Sequence, residues 1–248
     1  MRAIVLAVSL VGASAATMAA VRAEGTCKAP FEDCVDIDTV DRPTDKRGFV
    51  VIQVNASSVN PSDVDGVESG SCANGCGADV AGTVVSCPGC ASLKVGDEVW
   101  GLGLKTYAEY ASAPEIGLGL RPKSLTFAEA GSIPQVGMTS YVCLKRTGLG
   151  TPPGTPMPAG NPWTKENITV VVTAGSGGTG FMGIELAKVW GATNIITAST
   201  GEGIAFCYGL GATLVVDYNE QVRAQKSPVP PTLRNDDRFA THFWYTCK

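Results

Sequence analysis

The residues best suited to chemistry are Gly175-Ser176-Gly177-Gly178-Thr179-Gly180, which satisfy the spacing G-x-G-x-x-G. Glycine at these positions permits a tight turn, lets a pyrophosphate approach the backbone and lets a helix close on the preceding strand. A helix that starts there offers free N–H groups and a positive dipole end to phosphates. The motif has meaning only between a strand and a helix. Ile168–Thr173 is an apolar β-forming run and Gly180–Trp190 has helical spacing, so both neighbours are present.

The second strand should end on the group that reads the adenosine ribose. A site for NAD places a carboxylate about 20 residues beyond the turn, on the ribose 2′-hydroxyl. Here Ile196-Thr197-Ala198-Ser199-Thr200-Gly201 carries hydroxyls and no acid. Ser199 and Thr200 could donate to a 2′-phosphate, and the expected cofactor is therefore NADP(H).

The cysteines form a second constellation. There are nine, and only one histidine, His242. His-based triads and His-rich metal centres are thereby nearly excluded. Cys72, Cys76, Cys87 and Cys90 have paired spacings that suggest a structural zinc. A strand from about Ala78 to Ser86 separates the pairs, and at about 3.3 Å per residue it spans on the order of 25 Å. Four thiolates on one zinc must each lie about 2.3 Å from it, so no metal is expected. Local bridges (Cys27–Cys34, Cys72–Cys76, Cys87–Cys90), a redox dithiol at Cys87-Pro88-Gly89-Cys90, and buried thiols at Cys143 and Cys207 stay open, because pairing does not follow from sequence. Asn55-Ala56-Ser57 and Asn167-Ile168-Thr169 are glycosylation sequons, both at or in strands.

The elements that must position these residues divide in two. The first half is rich in short strands: weak alternation in Val35–Pro43, a strong signal in Gly48–Val59, then Asp79–Ser86, Val95–Trp100 and Tyr107–Ala111. Asn60-Pro61-Ser62-Asp63 reads as a turn and helix start, and Gly66–Gly77 as a loop. Thr126–Ala130 and Gln135–Lys145 have helical spacing. Leu149–Pro162 is a Pro/Gly-rich linker. Beyond it come strand, helix, strand (Asn194–Ala198), short helix (Ile204–Leu210) and strand (Thr213–Val216), a βαβαβ pattern with apolar strands suited to a parallel sheet covered by helices. Residues 221–248 have no period.

Composition limits the alternatives. The 248 residues are 44% hydrophobic and 17% charged, which suits a packed core and not a disordered chain. A net charge of −4 without a Lys/Arg stripe leaves no footprint for nucleic acid. Residues 1–23 read as a signal peptide: Arg2, an apolar run, then the small-residue site Val21-Arg22-Ala23. The expected route is the secretory pathway or the exterior, or an organelle through a bipartite signal. No membrane span is expected in the mature chain.

In order along the chain, VNPSD (Val59–Asp63), GADVAGTV (Gly77–Val84), KVGDEVWG (Lys94–Gly101), TYAEY (Thr106–Tyr110), GMTSY (Gly137–Tyr141), AGSGGTG, LAKVWGA and LGATLVVDY resemble the medium-chain dehydrogenase/reductase superfamily, in its zinc-free quinone oxidoreductase (zeta-crystallin-like) and enoyl reductase branch. The resemblance runs from about Val35 to Glu220. It implies an α/β chain: a β-rich GroES-like substrate domain over 24–148 with its connecting helices, a Pro/Gly-rich loop at 149–167, the first half of a Rossmann domain at 168–220, and a divergent tail at 221–248. It implies NADPH-dependent reduction of a quinone or enone, with Asn60 as the catalytic polar residue near the nicotinamide and Thr139 beside the cofactor. Zinc-dependent relatives carry Gly-His-Glu where this chain has Gly77-Ala78-Asp79, so catalytic zinc is not expected. A tyrosine common after the Asn-Pro is replaced by the neighbourhood of Asp63 and Asp65. The second Rossmann half is not recognisable, which implies a C-terminally truncated, impaired reductase. The alternatives are a non-catalytic dinucleotide-binding remnant and a thiol-redox protein using Cys87 and Cys90. A homodimer is compatible with either.

Overall fold

In the computed structural model, residues 17–28, 30, 33–146 and 168–220 are described. They fall into two compact units divided between Gln135 and Val136. The division lies inside a helix that the sequence reading had placed wholly with the first domain.

The first unit is built on an antiparallel sheet. Its strands are β3 (Phe49–Ala56), β4 (Asp79–Ser86), β5 (Glu98–Leu102), β6 (Tyr110–Pro114) and β7 (Leu118–Leu120), in the order β6-β3-β4-β5-β7. Val50, Ile52, Val80, Val84, Val99 and Ala113 are at most 1% exposed and form its core. Burying each larger side chain among them contributes about 1.5–3 kcal/mol. β4 has the span read from the sequence. β7 was not expected, because three residues of Leu-Gly-Leu carry no measurable alternation.

Two further strands, β1 (Thr17–Ala23) and β2 (Val35–Asp41), form an antiparallel ribbon with Thr17 opposite Asp41 and Ala23 opposite Val35. Seven residues read as the end of a leader are thus a paired strand. Met18, Ala20 and Ala23 are buried, and Arg22 Nε donates to the Ala73 carbonyl at 2.8 Å.

The segment Gly66–Gly77, expected as a loop, is partly helical. α1 spans Pro61–Ser69 and a 3₁₀ turn follows at Ser71–Asn74. Pro61 sits at the first helical position, where its missing N–H costs nothing. Gly70, at φ 80°, ends α1 in the left-handed conformation that glycine tolerates. α2 (Phe127–Gly131) starts on the Thr126 cap, whose hydroxyl accepts from Glu129 N. α3 (Pro134–Arg146) crosses into the second unit.

The second unit holds the parallel sheet β10-β9-β8, from β8 (Thr169–Val172), β9 (Asn194–Ser199) and β10 (Leu214–Asp217). α4 (Gly178–Val189) and α5 (Glu202–Leu210) connect them, giving the βαβαβ order. Val170, Val172, Ile184, Ala187, Ile195 and Val215 pack its core together with Leu144 of α3. The tail 221–248 and the linker 149–162 lie outside the described residues.

Candidate functional site

The glycine turn joins β8 to α4. Gly177 caps α4 without a side-chain hydrogen bond, and the first helical bond runs from Phe181 N to Gly177 O. The N–H groups of Gly178, Thr179 and Gly180 precede that bond, which is the arrangement that holds a phosphate. Each glycine answers to a different contact. A Cβ on Gly180 would stand 2.0 Å from the Ala174 carbonyl oxygen, and one on Gly175 would stand 2.2 Å from Thr197 Oγ1. Gly177 is exposed, and its Cβ would meet only Ala174 O at 3.3 Å. The turn therefore fits a pyrophosphate at Gly177, while Gly175 and Gly180 serve packing. The left-handed residue of the turn is Ala174, at φ 52°, and not Gly175.

The hydroxyls around the turn divide between burial and access. Ser199 is 2% exposed, and its Oγ donates to Ser176 Oγ at 2.8 Å. Through this bond it ties the end of β9 to the turn. Thr200 is half-buried, and its Oγ1 accepts from Asn219 Nδ2 at 2.6 Å. Thr139 lies on α3 beside Ser140, whose buried hydroxyl donates to the Thr179 carbonyl at 2.7 Å. The contacts of Ser140 and Asn219 join distant segments, so spacing along the chain does not reveal them. Cys207 is fully buried in α5 next to Gly175; burial pushes its thiol up, against a hydrogen bond with Ser199 that lowers it.

Asn60 belongs to a buried polar cluster in the first unit. It is 5% exposed, and its Nδ2 donates to Asp79 Oδ2 at 2.8 Å and to Ser58 Oγ at 3.4 Å. Its backbone N–H donates to Asp63 Oδ2 at 2.8 Å, so Asn60 also fixes the start of α1. Both amide hydrogens are spent inside the protein. Asp79 is the hub: fully buried, it accepts from Ser58 Oγ, from Asn60 and, on Oδ1, from Gln135 N at 2.7 Å. Burial holds its carboxyl above the usual range, against the three donors that lower it, and the Asp63 carboxylate adds to the rise. Tyr107 OH donates to Asp63 Oδ2 at 2.7 Å and lies 2.8 Å from the Ser58 carbonyl. Burial pushes this phenol up, and the Asp63 carboxylate pushes it further. Asp79 and Ser58 as partners of Asn60, and Tyr107 as the partner of Asp63, do not follow from the sequence pattern. The pattern Gly77-Ala78-Asp79 was the available signal.

Six cysteines of the first unit are bridged locally: Cys27–Cys34, Cys72–Cys76 and Cys87–Cys90. Cys143 and Cys207 carry no disulfide. Among the described residues no three His, Cys, Asp or Glu side chains gather as a metal site, and no helix is long and apolar enough to cross a membrane.

Comparison with known proteins adds to this geometry. Residues 46–149 match the alcohol dehydrogenase GroES-like domain family. The chain is 33% identical over 157 residues to the 2-methylene-furan-3-one reductase of Solanum lycopersicum, covering 58% of this chain and 37% of that protein. It is 32% identical over 197 residues to the chloroplastic NADPH-dependent alkenal/one oxidoreductase of Arabidopsis thaliana, covering 72% of this chain and 47% of the relative. Among solved structures it resembles the quinone oxidoreductase of Coxiella burnetii, with a TM-score of 0.66 and 26% identity over 86% of this chain and 66% of that one. The chain spans about half or less of the length of these two relatives.

Proposed function

We propose that this chain, which belongs to the medium-chain dehydrogenase/reductase superfamily, binds NADP(H) at its glycine turn and serves the reduction of a quinone or conjugated enone without zinc. The observation that carries the reading is the turn itself: a Cβ-free opening at Gly177, uncapped N–H groups at the start of α4, and no acid in Thr197–Gly201. Bound there, the nicotinamide supplies the hydride.

The chain's own residues then bind and orient. Gly178, Thr179 and Gly180 N–H groups receive the phosphates. Ser176, held by Ser199, sets the shape of the turn. Half-buried Thr200, after β9, and exposed Asn219, after β10, form a hydrogen-bonded pair and are the proposed readers of a 2′-phosphate. In the first unit Asn60 acts as a positioning residue within the Asp79 cluster, because its amide hydrogens are already engaged. The single histidine of the sequence, His242, supports a zinc-free reaction.

A second reading, cofactor binding without turnover, is favoured by the half-sheet: among the described residues β8 pairs only with β9. One experiment separates the two. NADPH binding is followed by the blue shift and rise of its fluorescence, and turnover by loss of its absorbance with a quinone acceptor. Binding with turnover supports reduction; binding alone supports the second reading; no binding overturns both.

Secretory routing is proposed on the same footing, supported by three bridges in one small unit, the pattern of chains folded in oxidising compartments.

A further inference from the structure

The three bridges differ in access. Cys72 and Cys76 are 5% and 4% exposed, and Cys27 is 3% exposed. Cys87 and Cys90 are both half-buried, so among the described residues theirs is the bridge with two accessible ends and no buried one. It closes the turn between β4 and β5 with the spacing Cys-Pro-Gly-Cys, common to dithiols that cycle.

The turn has a scaffold that does not depend on the sulfurs. Cys90 N donates to Cys87 O at 3.3 Å, and Gly48 N donates to Pro88 O at 3.1 Å. Immediately after Cys90, the Glu115 carboxylate accepts the N–H groups of Ala91, Ser92 and Leu93 and the Ser92 hydroxyl. These bonds flank the Cys87 and Cys90 Cα atoms, which lie 5.6 Å apart, within bridging range. Arg47 lies against the same turn: a Cβ on Gly89 would stand 3.3 Å from Arg47 Nε. A guanidinium there favours a thiolate over a thiol when the bridge opens.

We propose that Cys87–Cys90 is a thiol–disulfide exchange site for dithiol partners, kept ready to close again by the Glu115 clamp. In the forward step a partner thiolate attacks one sulfur of the bridge, and the other cysteine leaves as a thiolate. The partner's second thiol then attacks the mixed disulfide. Two electrons pass from the partner dithiol, which becomes a disulfide, to the pair, which becomes a dithiol. Exposed bridges are the labile ones, and buried structural bridges resist reduction.

The test is graded reduction of the folded chain with dithiothreitol, followed by acid quench, alkylation and peptide mapping. Cys87 and Cys90 should become alkylated together at a concentration at least about tenfold below that needed for the other two bridges. Oxidised glutathione should then restore the bridge, and Glu115→Gln should slow that closure while the order of opening stays the same. Simultaneous opening of all three bridges, or earlier opening of either buried one, overturns the proposal. Closure at an unchanged rate in Glu115→Gln overturns the clamp. Neither readout involves NADPH, so failure here is distinct from failure of the reductase reading.

Discussion

The Glu115 carboxylate accepts the backbone N–H of Ser92 at 2.6 Å, across the gap between the β4–β5 turn and the residue that follows β6. With the N–H groups of Ala91 and Leu93 on the same carboxylate, a single half-buried side chain ties down the loop. These bonds favour the charged form. Backbone donation from Ala91, then from Ser92, holds Glu115 down to about 2 from its usual 4.5.

The sign of the resulting pH effect is fixed. The folded pKa is depressed, so this stabilisation is fully present above about 4.5 and is lost as pH falls towards about 2. Urea unfolding of wild type and Glu115→Gln should give different midpoints at pH 6 and coincident ones near pH 2. A constant difference across that range would show that the charge plays no part.

Asp79 runs the other way. Its folded pKa is raised by burial, so the contribution is present below the unfolded value of 3.8 and is lost as pH rises through the folded one. A carboxyl carbon titration by NMR should place Asp79 above its ordinary value. Asp79→Ala strands the Ser58, Asn60 and Gln135 donors, and each buried donor without an acceptor costs about 1–3 kcal/mol. Thermal unfolding should show a large loss for Asp79→Ala and a smaller one for Asp79→Asn, which keeps an acceptor.

The glycines of the turn should separate stability from binding. Gly180→Ala forces a Cβ into the Ala174 carbonyl at 2.0 Å, and backbone must move to admit it. Overpacking of this kind costs about 1–3 kcal/mol, so both melting temperature and NADPH binding should fall. Gly177→Ala meets only Ala174 O at 3.3 Å, at the exposed face of the turn. It should leave the melting temperature nearly unchanged and weaken NADPH binding. Equal effects of the two on stability would contradict the separate roles assigned to them.

The leader boundary is testable through β1. A variant lacking residues 1–16 keeps all seven β1–β2 pairs, whereas one lacking 1–23 removes them and exposes the edge of β2. The second variant should melt lower and aggregate sooner than the first. Equal melting temperatures would show that β1 adds nothing to the first unit.

What the sequence by itself determined was local. Asp79–Ser86 reads as a strand because its apolar run is bounded by turn residues, and the glycine turn reads as a phosphate cradle because strand, glycines and helix are contiguous in the chain. The Thr126–Ala130 helix is legible for the same reason, with its capping Thr and Glu three residues apart. Tertiary structure decided whatever depends on distant partners. Thr17–Ala23 has the composition of a leader's end and becomes a strand because Val35–Asp41 pairs with it. Ser199 has the residue type of a phosphate donor, yet folding turns its hydroxyl into Ser176. Asp79 gained its three donors, and Cys87–Cys90 its clamp, from segments that only the folded sheet brings near. Spacing along a chain reports neighbours within a turn or two; burial and hydrogen-bond partners follow from packing between segments, which no local pattern encodes.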